Sequence, residues 1–393
     1  MLAGLLFAIR ETEDRPDRLT ATLPFGGVTL IEYQARLLIA AGASQIVIMV
    51  ARLTPELLGA IARIGRRGVA VDAVRHASEA VEKLHPLARV LTLADGLLTT
   101  ERVVCALARE GGDTLLVVPQ ADADGRFERL GGAMAWAGVA RLDVRRLGEV
   151  ARLPRDYDPQ STLLRVAEQA RAVHVLLPPD AIRNGHGIEH DGTALAARGR
   201  AALAAIVSDR RGWFDQCIVA PLARVALPIM VERRWSGMGV GIGAVALALS
   251  GLSAIVWGWT IAGLALAFSA CLLLALAAPL SGVRDEPRTE RLLLVGGLAT
   301  PGLAALLLGA AESGRSGHLT ALVVAVTLVV AGALAERAGP ERVRRRWWGS
   351  APAYLLLLLI GAVAGWPVAA MAMAAGYATV TLTAAIERLR RHP

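Results

Sequence analysis

The segment TLIEYQARLLIAAGASQIVIMVA, Thr29 to Ala51, decides how the first half of the chain is read. Its first fifteen residues are amphipathic at i, i+3, i+4 spacing and predict a helix. The continuous apolar run QIVIMV that follows predicts a buried strand. With AGLLFAI (Ala3 to Ile9) ahead of it, the unit reads strand, helix, strand. The alternation continues: GVAVDAV, ASEAVEKLHPLA, RVLTLADGL, TERVVCALAREG and DTLLVVP read in turn as strand, helix, strand, helix, strand. Such alternation predicts a mostly parallel sheet covered on both faces. Ligands of these sheets sit beyond the carboxyl ends of strands. Asp95 occupies such an end, as a metal ligand or as the cap of a turn or helix.

A chain of 393 residues has room for two domains. Its 54% hydrophobic content is unevenly spread: ordinary up to about Arg234, then mostly Ala, Leu, Gly and Val from Gly237. The expected division is an α/β domain over 1–192, a linker with amphipathic juxtamembrane helices over 193–236, and a membrane domain over 237–393. The net charge of +8 is almost all arginine, with Lys83 the only lysine, and it clusters beside apolar runs. That placement points to membrane orientation and away from nucleic acid. Cys105, Cys217 and Cys271 have no paired spacing, so neither a disulfide framework nor a zinc site is expected. MLAGLLFAI lacks a leading basic region and a small-residue cleavage site, and reads as a buried first strand.

Crossing hydrocarbon takes about 20 apolar residues. Six stretches approach that: Gly237–Trp259, Thr260–Leu280, Leu292–Ala311, His318–Ala335, Ala353–Trp366 and Pro367–Ile386. Arginines gather before the first, after the second, after the fourth and after the sixth, while the other connections hold only Arg315. Basic loops stay inside, so both termini and the α/β domain are expected in the cytoplasm, at the inner membrane. The span interiors hold no Asp, Glu, Lys or Arg, which argues against an ion-coupled transporter. Upstream, SDRRGWFDQCIVAPLARVALPIMVERR reads as a basic amphipathic helix lying on an anionic leaflet. The loop NGHGIEHDG (Asn184 to Gly192) holds His186, Glu189, His190 and Asp191. Its glycines favour a solvated linker over a metal site.

LPFGGVTLIEYQARLLIAAGASQIVIMV and LTLADGLL resemble the nucleotidyltransferase fold, in particular sugar- and alcohol-phosphate cytidylyltransferases, over about residues 1–180. The resemblance implies a metal role for Asp95. The family opens on a glycine-rich loop that wraps a triphosphate. This chain has AIRETEDRPDRLTATLP, with no glycine between Gly4 and Gly26 and with Glu11, Glu13, Asp14 and Asp17 in place. The juxtamembrane helix and the six apolar stretches resemble CDP-alcohol phosphatidyltransferases fused to such a domain. That family's signature is D-G-x-x-A-R, a later glycine, then D-x-x-x-D, whose aspartates hold divalent ions against a pyrophosphate. At this point the chain reads SGVRDE. Gly282 matches the signature glycine, and the resemblance implies a nucleotide-binding role for it. Ser281 replaces the first aspartate, and Thr300 and Ala304 (or Pro301 and Ala305) the later pair. A rebuilt metal site would have to use Asp285 and Glu286, with Glu290.

The expectation is therefore a nucleotidyltransferase-like α/β domain joined to an all-α six-helix membrane domain. Its role would be that of a non-catalytic partner or binding protein in phospholipid or polar-lipid metabolism, with no cofactor. The alternative is an active transferase that uses magnesium or manganese. Expected partners are membrane lipids, a CDP-alcohol or nucleotide, and a second copy through the membrane domain.

Overall fold

The structure is a computed structural model. It describes all residues except 110, 155, 200–211, 234, 236, 284–286, 339–344 and 392–393. The chain divides into two compact units, Met1–Ala205 and Ile206–Pro393.

The first unit is built on an eight-stranded sheet. Its principal strands are β1 (Leu2–Ala8), β2 (Gln45–Val50), β3 (Ala70–Val74), β4 (Arg89–Leu93), β5 (Thr114–Pro119), β6 (Met134–Asp143) and β7 (Val173–Leu176). They lie in the order β7-β5-β6-β4-β1-β2-β3, with Glu128–Arg129 paired to β6. Pairing is parallel from β4 through β1 and β2 to β3, and again between β5 and β7; β6 runs antiparallel to both of its neighbours. The central strands are covered on both faces, which is why their sequences read as continuous apolar runs. Around them stand α1 (Leu30–Ala40), α2 (Pro55–Gly65), α3 (Ala77–Lys83), α4 (Glu101–Leu107), α5 (Val144–Val150), α6 (Pro159–Gln169), α7 (Pro179–Arg183) and, over 192–199, α8.

Local chemistry fixes the elements that frame the sheet's working edge. Thr29 and Glu32 form a capping box that starts α1, and the buried Glu32 carboxylate also takes Arg63 of α2 at 2.6 Å. The tie fixes α2 against α1. Tyr33 of α1 donates its hydroxyl to the Thr99 carbonyl at 2.7 Å, and Gln34 donates to the carbonyls of Ala94 and Leu97. These three bonds hold the turn that carries Asp95.

The second unit is helical: α9 (Ala220–Glu232), α10 (Gly237–Val256), α11 (Thr260–Val283), α12 (Pro287–Ser316), α13 (Thr320–Ala338), α14 (Ala351–Val363) and α15 (Pro367–Arg391). A π-helical turn, Asp215–Val219, leads into α9; the start of the expected amphipathic helix, through Arg211, lies outside the described residues. Among the described residues five helices, α10 to α13 and α15, are long and apolar enough to cross a membrane. All six expected apolar stretches form helices, five of spanning length and one shorter. The fifth apolar stretch forms only the 13-residue α14, about 20 Å long at ~1.5 Å per residue, which follows Ser350 and ends ahead of a turn at Gly365. α14 is nevertheless central: Tyr354, Leu355 and Leu358 are buried in the core formed by Leu264, Ala304, Leu308, Leu328 and Met371. Helices α10 and α11 approach closely, backbone to backbone, at Gly251 and Gly263. A Cβ on either would stand 2.6–2.7 Å from the other's carbonyl oxygen.

Candidate functional site

In the α/β unit the candidate site lies beyond the carboxyl ends of β1 and β4. Asp95 leaves the end of β4 and is 1% exposed. Its Oδ2 accepts from the backbone N–H of Ile9 at 2.8 Å and of Arg10 at 2.7 Å, the two groups where the chain leaves β1. Its own N–H donates to Gln160 Oε1 of α6 at 2.9 Å, whereas its Oδ1 is buried without a hydrogen-bond partner. Burial raises the carboxyl pKa to about 6, against the pull of the two N–H donors. Asp95 is thus a clamp between neighbouring strand ends. The N–H groups that could have turned toward a phosphate are spent on it.

The turn continues through Gly96 at φ +77°, a left-handed conformation suited to glycine. A Cβ there would meet the Glu189 carbonyl oxygen at 2.5 Å and His190 Nδ1 at 2.8 Å. The segment pressed against Gly96 is NGHGIEHDG, which corrects the expected solvated linker. His186, Glu189 and His190 are all buried, and Gly187–Ile188 pairs with Leu97–Leu98. Main-chain pairing holds the loop in place: Glu189 N–H donates to Gly96 O, and the His190 carbonyl accepts from Glu13 N–H, each at 3.0 Å.

His186 is fixed in its neutral form. Its Nε2 lies 2.8 Å from the Ala137 carbonyl, which can only accept, so Nε2 carries the proton and Nδ1 accepts from the Thr99 hydroxyl. Burial pushes its pKa down to about 4, with Arg198 adding to the effect. His190 is likewise pushed down to about 4, first by burial and then by Arg10 and Arg126, and its Nδ1 has no hydrogen-bond partner. Glu189 is bracketed by Arg198 at 2.7 Å and Arg126 at 3.5 Å. Arg198 continues to Asp124 at 2.6 Å, and Arg126 to Glu13 at 3.1 Å. These five charges fasten α8, the strand-end loop after β1 and the 120s segment to one another.

The residues present do not fit a divalent ion at Asp95. No group of three His, Cys, Asp or Glu side chains that could hold a metal occurs among the described residues. A magnesium ion takes one or two carboxylates plus substrate phosphates in near-octahedral geometry. Here one buried oxygen remains, and the segment after β1 carries Glu11 and Glu13, each already paired with an arginine.

In the helical unit, Gly282 falls in the last turn of α11, while Asp285 and Glu286 lie outside the described residues. Ser281 is fully buried, close enough to Gly237 that a Cβ there would collide with its Oγ. The Thr300 hydroxyl donates to Gly296 O of its own helix at 2.8 Å. Pro301 lacks an N–H, so Gly297 O loses its helical donor; the Cys271 thiol lies 4.0 Å away and faces it. Ala304 and Ala305 sit in the apolar core, at 0% and 1% exposure. The positions at which the resemblance calls for carboxylates are thus a buried serine, a threonine hydroxyl bonded within its helix, a proline and packed alanines.

Sequence reasoning placed Asp95 at the strand end but missed the cluster of His186, Glu189, His190, Arg126 and Arg198. The signal it had was two histidines and a glutamate in one short loop. The two arginines that convert that loop from solvated to buried lie about sixty residues upstream and one helix downstream.

No family model matches the chain, and no curated protein sequence matches it. Among solved structures it is similar to a protein assigned as a glucose-1-phosphate thymidylyltransferase from Bacillus anthracis, in complex with a sucrose, at 11% identity and a TM-score of 0.39, over 51% of this chain and 95% of that one. It is also similar to the inositol-1-phosphate CTP transferase from T. maritima, at 14% identity and a TM-score of 0.35, over 45% of this chain and 85% of that one. Both matches fall on the N-terminal part, ahead of the five helices long enough to cross a membrane.

Proposed function

We propose that the chain is a non-catalytic relative of the CDP-alcohol phosphatidyltransferases that carry a cytidylyltransferase-like domain, and that it serves as a partner or binding protein in phospholipid or polar-lipid metabolism. The observation that carries this reading is the filling of the former metal positions. Ala304 and Ala305 lie in an apolar helical core, and the Thr300 hydroxyl is spent on its own helix. Two divalent ions placed there would lack neutralising ligands, at a cost of several kcal/mol per ion. The Asp95 clamp supports the same reading for the α/β unit, because the N–H groups beyond β1 hold a carboxylate rather than a triphosphate.

The proposed setting is the inner membrane, with both termini on the cytoplasmic side. α14 is too short to span alone, but it is packed inside the bundle and returns the chain toward the end from which α15 starts. A second copy would pair through the membrane domain. Purified protein is assayed with CDP-alcohols in the presence of magnesium or manganese, beside the double variant Asp285→Ala, Glu286→Ala. The expected result is no metal-dependent release of CMP. Release by the wild type that disappears in the double variant overturns the proposal in favour of an active transferase with a rebuilt site.

A further inference from the structure

The second unit carries a wide-mouthed surface cavity of about 560 Å³ at the end remote from the arginine-rich connections. It opens where α10 turns into α11, where α12 ends and where α14 turns into α15, and Thr260, Ile261, Glu312, Arg315 and Pro367 contribute to its wall. Its volume suits a small polar group with part of an attached chain.

Three features give this cavity a defined chemistry. Arg315 and Glu312 form an i, i+3 pair at 2.6 Å, the arginine half exposed and the glutamate 15% exposed. Both signs of charge therefore lie at the cavity wall. α11, 24 residues long, begins there; its first intrahelical donor is Gly263 N–H to Trp259 O, so the preceding N–H groups have no helical acceptor and their partial positive charge adds to that of Arg315. Trp259 in the wall is 70% exposed, and Trp257 and Trp366, each next in sequence to a wall residue, are 81% and 73% exposed, as rings lodged at the headgroup level of a bilayer are.

We propose that this cavity holds the headgroup of a zwitterionic phospholipid. The phosphodiester lies against Arg315 and the first turn of α11, and the ammonium lies against Glu312. A guanidinium and a helix N-terminus both favour phosphate oxygens, and the pairing of Arg315 with Glu312 leaves a dipolar wall that matches a dipolar ligand. The exposed tryptophans select a lipid over the free headgroup. The inference stands apart from the proposed metabolic role: it needs only that these helix ends meet a bilayer.

The test is lipid retention by the purified full-length chain, loaded in vesicles of equal phosphatidylethanolamine and phosphatidylglycerol, stripped with mild detergent and read by native mass spectrometry. The wild type is expected to keep phosphatidylethanolamine selectively, Arg315→Lys to keep most of it, and Arg315→Gln to retain about tenfold less, the scale of one charge-assisted contact. Glu312→Gln is expected to lose the preference between the two lipids. A competition arm uses free glycerophosphoethanolamine, which should fail to displace the lipid. Equal retention of both lipids by wild type and variants overturns the proposal, as does displacement by the free headgroup at concentrations comparable to the lipid.

Discussion

Replacing Asp95 by Asn probes whether a buried carboxyl clamps the strand ends. The amide oxygen keeps an acceptor for the N–H groups of Ile9 and Arg10, while the charge is removed. In the folded protein the carboxyl holds its proton up to about 6, against an ordinary 3.8, because it is buried. The folded state therefore binds a proton that the unfolded chain has already released. The stabilisation this supplies is complete below pH 3.8 and is lost as pH rises through about 6. At ~1.4 kcal/mol per pKa unit the swing is ~3 kcal/mol. His186 and His190 act in the opposite sense, since their lowered pKa values give stability that is present above pH 6.5 and lost as pH falls through about 4. Their contributions are common to wild type and variant and cancel in the difference. The measurement is hydrogen–deuterium exchange of peptides from β1 and β4 in the detergent-solubilised full chain, at matched pH between about 4 and 7.5. Relative to Asp95→Asn, the wild type should lose ~3 kcal/mol of protection across that range. Parallel pH profiles for the two proteins would refute the clamp.

Gly96→Ala should destabilise the same region by ~2–4 kcal/mol, from a left-handed backbone and a collision with the Glu189 carbonyl, read as raised exchange in the 184–192 loop. His186→Phe should cost ~1–3 kcal/mol by leaving the Thr99 hydroxyl and the Ala137 carbonyl without their bonds, measured by the same exchange. In the helical unit, Gly251→Leu or Gly263→Leu should force α10 and α11 apart and lower the thermal stability in detergent, whereas Gly243→Leu, with open space around its Cβ position, should not. Reporter fusions after Ala311 and Trp366 should mark the far side of the membrane and fusions after Arg291 the cytoplasm. A cytoplasmic signal after Trp366 would show that α14 does not carry the chain across.

The sequence alone determined the alternation of the first half and the apolar character of the second, because both follow from periodicity along the chain. A fifteen-residue amphipathic run followed by QIVIMV can hardly form anything but a helix and a buried strand, and it formed α1 and β2. Sequence also located Asp95 at the end of β4, since strand and turn signals are local. The placement of β6, antiparallel between β4 and β5, was out of its reach: a strand's neighbours are chosen by which hydrogen-bonding edge is free, not by its own residues. The loop NGHGIEHDG reads as solvated because its polar residues are counted one by one. Its burial depends on Arg126 and Arg198, which neutralise Glu189 only once three separate elements have come together. α14 likewise has the composition of a membrane span, and its 13 residues were set by where the bundle core accepts Tyr354 and Leu358. Composition along the chain measures the affinity of a segment for an apolar medium. Whether lipid or protein supplies that medium is decided by the helices packed beside it.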